Sequence, residues 1–135
     1  MQHMSTQRFT QWQKPIIEHG KPTKWNWVVL YPEGLTVGQN TDIGAFSLLV
    51  AKHGIEIEEN VQIGSHCAIY SYSTIDDKQG KVVLKKNCRI GTHSSIMPGV
   101  TVGENATVGA HSFVNSDVPP NTVVAGVPAK LMKQK

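Results

Sequence analysis

A branched aliphatic residue returns every six positions along most of this chain. Of the twelve intervals in the series, ten are six residues long, and the other two are eight and nine. The series is Val37, Ile43, Leu49, Ile57, Ile63, Ile69, Ile75, Leu84, Ile90, Ile96, Val102, Val108 and Val114. A fixed short period is typical of a solenoid, in which each repeat buries its apolar side only by stacking on its neighbours. The two long intervals predict loops that leave the stack.

The other positions of the hexads also follow rules. The fifth residue is small or β-branched, except for His53 and Gln79, which both fall in interrupted repeats. The second residue is often Gly, and the fourth is usually Asn, His, Gly or Asp, which tolerate a left-handed backbone. Each hexad therefore predicts a short strand, one buried aliphatic side chain and a tight corner. Three hexads would make one triangular coil of parallel strands stacked about 4.8 Å apart.

Length and composition narrow the class of protein. A chain of 135 residues predicts one domain. The net charge is +3, but the basic residues are scattered, so a nucleic-acid-binding arm is not expected. No apolar run reaches the roughly 18 residues of a membrane span. The polar start, residues 1–4, lacks the apolar region of a signal peptide, and Cys67 and Cys88 fall at interior positions, as expected of reduced thiols in a cytoplasmic protein.

The period divides the chain into three parts. Residues 1–30 lack it and are rich in Trp and Pro, so we expect an irregular cap with one short strand at 27–30. Residues 31–118 are expected to form the solenoid. Residues 119–135 are expected to form a tail.

The last third of the chain carries the most specific motif. The pattern is an aliphatic residue, Gly, two variable residues and a small residue, and it leads into a Pro-rich ending. The segments that carry it are Ile96–Gly103, Val108–Ser112, Asp117–Asn121 and Val124–Lys130. With these segments, the chain resembles the hexapeptide-repeat acyltransferases that use acetyl-CoA. The resemblance implies an all-β, left-handed parallel β-helix, a homotrimer, and acetyl-CoA bound in the cleft between adjacent helices.

The resemblance also implies which residues bind the co-substrate. Thr92 and Ala110 are three hexads apart, so they are expected to stack on one edge, and in the family this edge lines the pantetheine groove. Asn115 and Ser116 follow one strand further on. The segment from Gly126 to Lys130 is expected against the adenine, with Lys130 and Lys133 near the phosphates. The alternative is that the tail only ends the solenoid and that its lysines are solvated. No metal is expected.

Acyl transfer to an amine or hydroxyl is helped by a base, and histidine is well matched to that task. His53 is the first candidate, because it lies in the insertion over 50–54, where serine acetyltransferases carry catalytic histidines. His66 is the second candidate. A solvent-exposed loop histidine is the alternative interpretation of His53. His66, His93 and His111 occupy corner positions that Asn takes in other hexads, and His3 and His19, outside the repeat, are interpreted as incidental.

In maltose and galactoside acetyltransferases a histidine follows the hexad that corresponds to Ile69. This chain has Tyr70–Ile75 there, with no histidine. An amine acceptor would need only weak base catalysis, which fits this departure.

The second insertion, over 76–81, is the expected acceptor pocket. Tyr72 is a candidate for stacking on the acceptor, and Asp76 and Asp77 are candidates for holding a sugar hydroxyl or orienting a base. The two acids are equally well explained as solvated loop residues.

Compact members of the family are mostly sugar-modifying enzymes of lipopolysaccharide or capsule biosynthesis. We therefore expect N-acetylation of a nucleotide-linked amino sugar, with sugar O-acetylation as the alternative. Two other classes stay open: a zinc protein like the γ-type carbonic anhydrases, which bind zinc through three histidines at a subunit interface, and a non-catalytic scaffold.

Overall fold

The computed structural model describes residues 9–135 and forms a parallel β-solenoid of stacked coils. The all-β, parallel β-helix fold predicted from the hexads is confirmed. In the described part the one helical element is the 3₁₀ turn Pro32–Gly34. The first eight residues of the predicted cap, with the polar start and His3, lie outside the described residues. No helix within residues 9–135 has the length and apolarity to cross a membrane.

The strands are short and stack into three flat faces. In chain order they are β1 Val28–Leu30, β2 Leu35–Val37, β3 Asp42–Ile43, β4 Leu48–Val50, β5 Ile55–Ile57, β6 Gln62–Ile63, β7 Ala68–Tyr70, β8 Tyr72–Ser73, β9 Lys78–Gln79, β10 Val82–Leu84, β11 Arg89–Ile90, β12 Ser95–Ile96, β13 Thr101–Val102, β14 Thr107–Val108, β15 Phe113–Val114, β16 Thr122–Gly126 and β17 Ala129–Gln134. Face 1 is β1-β4-β7-β12-β15, face 2 is β2-β5-β10-β13, and face 3 is β3-β6-β11-β14-β16 with β17 antiparallel at its end. The short strand expected at 27–30 is therefore β1, which pairs with β4 in the first coil.

The coils keep one register although their lengths differ. Leu84 pairs with Val102, as three uninterrupted hexads require. Ile69 pairs with Leu49 in the preceding coil and with Ile96 in the following coil, and each of these intervals contains an insertion. The extra residues of both insertions therefore leave the stack at a corner, as predicted, and the aliphatic side chains remain aligned.

The core contains one column of aliphatic side chains for each face. All the residues of the aliphatic series from Leu49 to Val114 are buried, with one exception. That exception is Ile75, which is 96% exposed, so its assignment to the buried series was wrong. The fifth hexad positions are also buried, apart from His53 and Gln79 in the interrupted repeats, and they include the free cysteines Cys67 and Cys88. Burial raises the pKa of the Cys88 thiol to about 12, and it raises the pKa of Cys67 as well.

The corners show why the second and fourth hexad positions are restricted. A side chain on Gly91 would place its Cβ 2.5 Å from the backbone nitrogen of Ala110 in the next coil, so only glycine lets the coils approach there. The fourth residue adopts a left-handed conformation, with φ between 57° and 66° at Asn40, Phe46, Asn60, His66, Asn87, His93, Asn105 and His111. Phe46 is unexpected in this set, and Asp117 does not belong to it; its carboxylate accepts the N–H of Thr101 at 2.9 Å.

Candidate functional site

Both insertions leave the helix on the edge between face 1 and face 2, which we call the hairpin edge (residues 51–54 and 72–79). The first insertion is a tight turn over residues 51–54. The backbone N–H of His53 donates to Ser71 Oγ at 3.0 Å, which ties this turn to the next coil. The His53 side chain is exposed, and its ring meets the ring of Tyr72 edge-on, with centroids 5.3 Å apart. The structure therefore brings the first base candidate and a predicted acceptor residue together.

The second insertion is a β-hairpin, β8 and β9, over residues 72–79. The sequence places this insertion at 76–81, but strand pairing already begins at Tyr72. The N–H of Gly80 donates to the carbonyl of Ser71 at 2.9 Å, so the hairpin leaves and rejoins the coil at one point. Asp77 lies at the exposed tip with a left-handed φ of 53°.

A cavity of about 650 Å³ lies between the hairpin and face 1. Its floor is the apolar outer side of face 1, and its wall carries the hydroxyl and carboxylate groups of the hairpin. Residues on both sides include Leu48, Tyr70, Tyr72, Thr74, Asp76 and Phe113. Its volume is in the range of about 300–1,000 Å³ that is usual for small-molecule sites.

A stack of aromatic rings runs along the opposite edge of face 1, between face 3 and face 1, which we call the histidine edge (Phe46, His66, His93 and His111). The ring centroids are 5.1, 4.7 and 4.8 Å apart along the stack, and the imidazole planes are within 8° of parallel. Parallel rings direct their nitrogen lone pairs side by side and not toward one point. Within residues 9–135 no group of three metal-ligating side chains is placed to hold an ion.

Thr92 sets the proton position on the central imidazole. The Thr92 hydroxyl donates to the carbonyl oxygen of Ser65 at 2.7 Å. Its oxygen therefore accepts from His93 Nδ1, 3.0 Å away, since the hydroxyl hydrogen is already used. This hydrogen-bond network assigns the proton of neutral His93 to Nδ1 and leaves Nε2 as an acceptor.

Thr92, Ala110 and Gly126, three of the predicted cofactor residues, form a column on the histidine edge. Ile90, Val108 and Val124 are in register, so Thr92, Ala110 and Gly126 follow one another in successive coils. A shallow groove of about 310 Å³ crosses face 3 beside this column. Its lining includes one cation, Arg89, and one carboxylate, Asp42, together with Gln62, Thr92 and Thr107.

Positive charge is concentrated at the end of face 3. Lys130 and Lys133 lie on β17, and Arg89 lies on the same face. Partial burial, and then the charge of Arg89, lower the pKa of Lys135. Arg89, Lys133 and Lys135 therefore lie close enough to repel one another.

Comparison with known proteins identifies this architecture. Residues 81–116 match the family described as bacterial transferase hexapeptide (six repeats), and residues 34–71 match the hexapeptide repeat of succinyl-transferase. Galactoside O-acetyltransferase of Escherichia coli (strain K12) is 32% identical over 82% of this chain and 49% of its own length. The chain belongs to the hexapeptide-repeat acetyltransferase family.

Two solved structures extend the comparison. A maltose O-acetyltransferase from Clostridium difficile 630 is 32% identical, with a TM-score of 0.76, over 81% of this chain and 63% of its own. An N-acyltransferase from Bacillus cereus, in complex with dTDP and 3-hydroxybutyryl-CoA, is 26% identical, with a TM-score of 0.69, over 84% and 78%. The chain spans about half the length of the curated relatives it matches.

The predicted site residues of this hexapeptide-repeat protein fall on two edges of the β-helix. His53 contacts Tyr72 at the hairpin edge, and Asp76 lies on the hairpin beside Tyr72. Thr92, Ala110, Gly126 and His66 lie on the histidine edge. Asn115 and Ser116 follow β15 and are exposed on the hairpin edge, with face 1 between them and Thr92. Within one chain, Asn115 and Ser116 are therefore separate from the column of Thr92 and Ala110, and their part in binding acetyl-CoA stays a prediction.

Four residues at these edges or in the groove were not predicted as site residues from the sequence. Tyr31 and Lys52 lie beside Tyr72 at the hairpin edge, and Arg89 lies in the groove. His19, interpreted as incidental, accepts the backbone N–H of Tyr31 at its Nδ1, 2.9 Å away. The only sequence signal for Arg89 was a cationic side chain at an outward strand position. No short-range pattern links Tyr31, Lys52 and His19, because they come together only when the coils stack.

The tryptophans belong to a different part of the molecule. Trp27 is buried in the core, and Trp12 Nε1 donates to the carbonyl of Thr41 at 2.9 Å. With Trp25 they line a separate cavity of about 260 Å³ at the N-terminal end. These contacts agree with a capping role for the N-terminal segment.

Proposed function

We propose that this protein transfers an acetyl group from acetyl-CoA to an amino sugar linked to a nucleotide, as a step in surface polysaccharide biosynthesis. The column of Thr92, Ala110 and Gly126 beside the groove that contains Arg89 carries this proposal. Small side chains let a pantetheine arm approach the backbone, and Arg89 and the tail lysines offer partners for phosphates. The likeness to an N-acyltransferase solved with a nucleotide and an acyl-CoA supports the same assignment.

The reaction needs little of the protein beyond orientation and proton transfer. The acceptor nitrogen attacks the thioester carbonyl carbon, the C–N bond forms, the C–S bond breaks, and CoA leaves as a thiolate. The proton lost by the amine goes to a base, which passes it on to the CoA sulfur. We assign this role first to His53, whose exposed ring lies beside the hairpin cavity, and second to His66 in the histidine stack.

The two edges come together only between copies of the chain. The outer side of face 1 is apolar, with Val28, Leu48 and Phe113 in one row and Leu30, Tyr70 and Met97 in the next. The matching row on face 2 is more polar and consists of Thr36, Glu56, Val83 and Thr101. We propose a homotrimer in which a neighbouring copy lies over face 1 and forms a further wall of the hairpin cavity. The hairpin edge of one copy then faces the histidine edge of the next. Asn115 and Ser116 would then reach the acetyl-CoA of the neighbouring copy.

Sugar O-acetylation is the second candidate. The named relatives that act on galactosides and on maltose are O-acetyltransferases, and they favour this reaction. The chain lacks a histidine in the segment after Ile69, which favours the amine acceptor.

The deciding experiment measures thiol release from acetyl-CoA across nucleotide-linked amino sugars, neutral sugars and serine. Release with a nucleotide-linked amino sugar and with no neutral sugar supports N-acetylation. Release with neutral sugars supports the second candidate instead. Absence of CoA binding by calorimetry would overturn the acetyltransferase assignment and favour a scaffold.

Variants then test the base. We expect His53→Ala to lower kcat at least tenfold while acetyl-CoA affinity is retained, because the change removes the proposed base and leaves Thr92, Ala110 and Gly126 intact. His111→Asn is the matched control, since Asn takes this corner in other hexads. Unchanged turnover of His53→Ala would exclude His53 as the base and leave His66 to be tested in the same way.

A further inference from the structure

A lysine side chain lies over two aromatic rings at the rim of the hairpin cavity. Lys52 Nζ is 4.5 Å from the ring centroid of Tyr72 and 5.6 Å from that of Tyr31. Both rings line the cavity. Among the residues that the structure describes, no carboxylate forms an ion pair with Lys52, whereas Lys81 on the same edge is paired with Glu56 at 2.9 Å.

Two aromatic faces hold an ammonium group without neutralising it. The cation–π attraction restricts the lysine side chain, but the rings carry no formal charge, so the full positive charge stays available to a ligand. A restricted side chain also loses less conformational entropy when it binds. Lys52 is therefore suited to binding an anion at the mouth of the cavity.

The tyrosines are themselves held in place. Tyr31 has φ 60° and ψ 61°, a left-handed conformation that is uncommon for a bulky residue. His19 fixes it from the other side, because Nδ1 accepts the Tyr31 N–H and the two rings meet edge-on at 5.1 Å. His53 packs against Tyr72 in the same way. A series of side-chain contacts therefore crosses three successive coils and links His19, Tyr31, Lys52, Tyr72 and His53.

The cavity beside Lys52 has a polarity that suits a phosphorylated sugar. Asp76 and Thr74 on the hairpin provide acceptors and a hydroxyl for a sugar ring. The ammonium group of Lys52 lies 4.5 Å from the ring of Tyr72, which lines the same cavity. We propose that Lys52, clamped by Tyr31 and Tyr72, binds the phosphate of the acceptor and so selects nucleotide-linked sugars over free sugars. This inference rests on the proposed function and names the residue that sets its substrate class.

The first test measures binding of dTDP and UDP by calorimetry, without acetyl-CoA. We expect Lys52→Gln to weaken binding at least tenfold, and to reduce its dependence on salt, because one charge-assisted contact to phosphate is lost. Lys81→Gln removes the same charge from the same edge, but its lysine is already paired with Glu56, so we expect less than a twofold change. Equal affinity of Lys52→Gln and the unmodified protein would overturn the proposal.

The second test uses steady-state kinetics. Lys52→Gln is expected to raise the KM for a nucleotide-linked sugar at least tenfold, with a smaller change in kcat and none in the KM for acetyl-CoA. Tyr72→Phe keeps an aromatic face and should retain most of this affinity, whereas Tyr72→Leu should lose it. Turnover of a free amino sugar with the same kcat/KM as its nucleotide-linked form would refute the role of Lys52 while leaving acetyl transfer intact. Failure of acetyl transfer with every sugar would count against the proposed function. It would not count against phosphate binding by Lys52, because the affinity for dTDP and UDP is measured in the absence of acetyl-CoA.

Discussion

At the scale of single residues, the hexad rules are rules of burial and backbone conformation. Cys88 occupies a fifth position, where Val61, Val100 and Ala106 stand in other hexads, and all four are buried. A thiol there can stay neutral at no electrostatic cost, but its thiolate would be desolvated. Burial, with a smaller contribution from Glu58, raises the Cys88 pKa from 9.0 to about 12.

This shift predicts a loss of stability in alkali. The raised pKa keeps the thiol neutral in the folded protein, whereas in the unfolded chain the thiol ionises above about pH 9. The contribution of Cys88 to the free energy of unfolding is therefore fully present below pH 9. It decreases progressively as the pH rises to about 12. The contribution lost by pH 10 is about 1 kcal/mol. Urea unfolding at pH 8 and pH 10 should therefore show a smaller decrease for Cys88→Ala than for the unmodified protein. Equal decreases would show that Cys88 does not govern the alkaline limit.

Ile75 and Ile96 show that a residue can fit the six-residue period without being buried. Both belong to the aliphatic series, but Ile96 is fully buried between Ile69 and Val114, and Ile75 is 96% exposed on the hairpin. An aspartate at 96 would place an unpaired charge in the core, so we expect Ile96→Asp to unfold the protein or to cost on the order of 3–5 kcal/mol. Ile75→Asp should change the free energy of unfolding by less than about 0.5 kcal/mol. Thermal unfolding followed by circular dichroism compares them, and similar losses would contradict the observed hairpin.

At the scale of elements, the sequence predicted the positions of the strands much better than the extents of the insertions. The corner types predicted at Asn60, His66 and His93 adopt the left-handed conformation, because the requirement is local. The extent of the second insertion could not be read from the period. Ile75 continues the six-residue spacing by coincidence, and the hydrogen bonds between β8 and β9 start the hairpin earlier.

The hairpin is separable from the coils. Since Gly80 N–H bonds to the carbonyl of Ser71, two glycines in place of residues 72–79 should close the gap. We expect this variant to stay folded, with a melting temperature within a few degrees, and to bind CoA normally, but to lose acetyl transfer at least 100-fold, because one wall of the cavity is gone. Calorimetry and thiol release measure the two properties, and full activity would place the acceptor site elsewhere.

At the scale of the whole molecule, the three faces differ in what they present outward. Face 1 carries Leu48, Tyr70 and Phe113, whereas faces 2 and 3 carry mostly polar and charged side chains. An apolar face of this kind is commonly covered by another subunit. The alternation along each strand predicts which residues point outward but not which strands share a face.

The assembly is tested by charge on face 1. Phe113→Glu should convert a trimer into monomers in sedimentation experiments and lower activity with them, because the charge would be desolvated at the interface. Thr36→Lys on face 2 is the matched control and should leave the assembly unchanged. A monomeric unmodified protein, or a Phe113→Glu trimer, would contradict the proposed interface.

The sequence by itself determined the solenoid, its three-hexad coil, its corners and the column of Thr92 and Ala110, because each depends on a repeating local pattern. Only the tertiary structure decided the start of the hairpin, the exposure of Ile75 and the grouping of His19, Tyr31, Lys52 and Tyr72. Those residues lie in different coils, separated by insertions that no period describes. Their contacts exist only because parallel strands stack with one register, which brings the same corner of successive coils together.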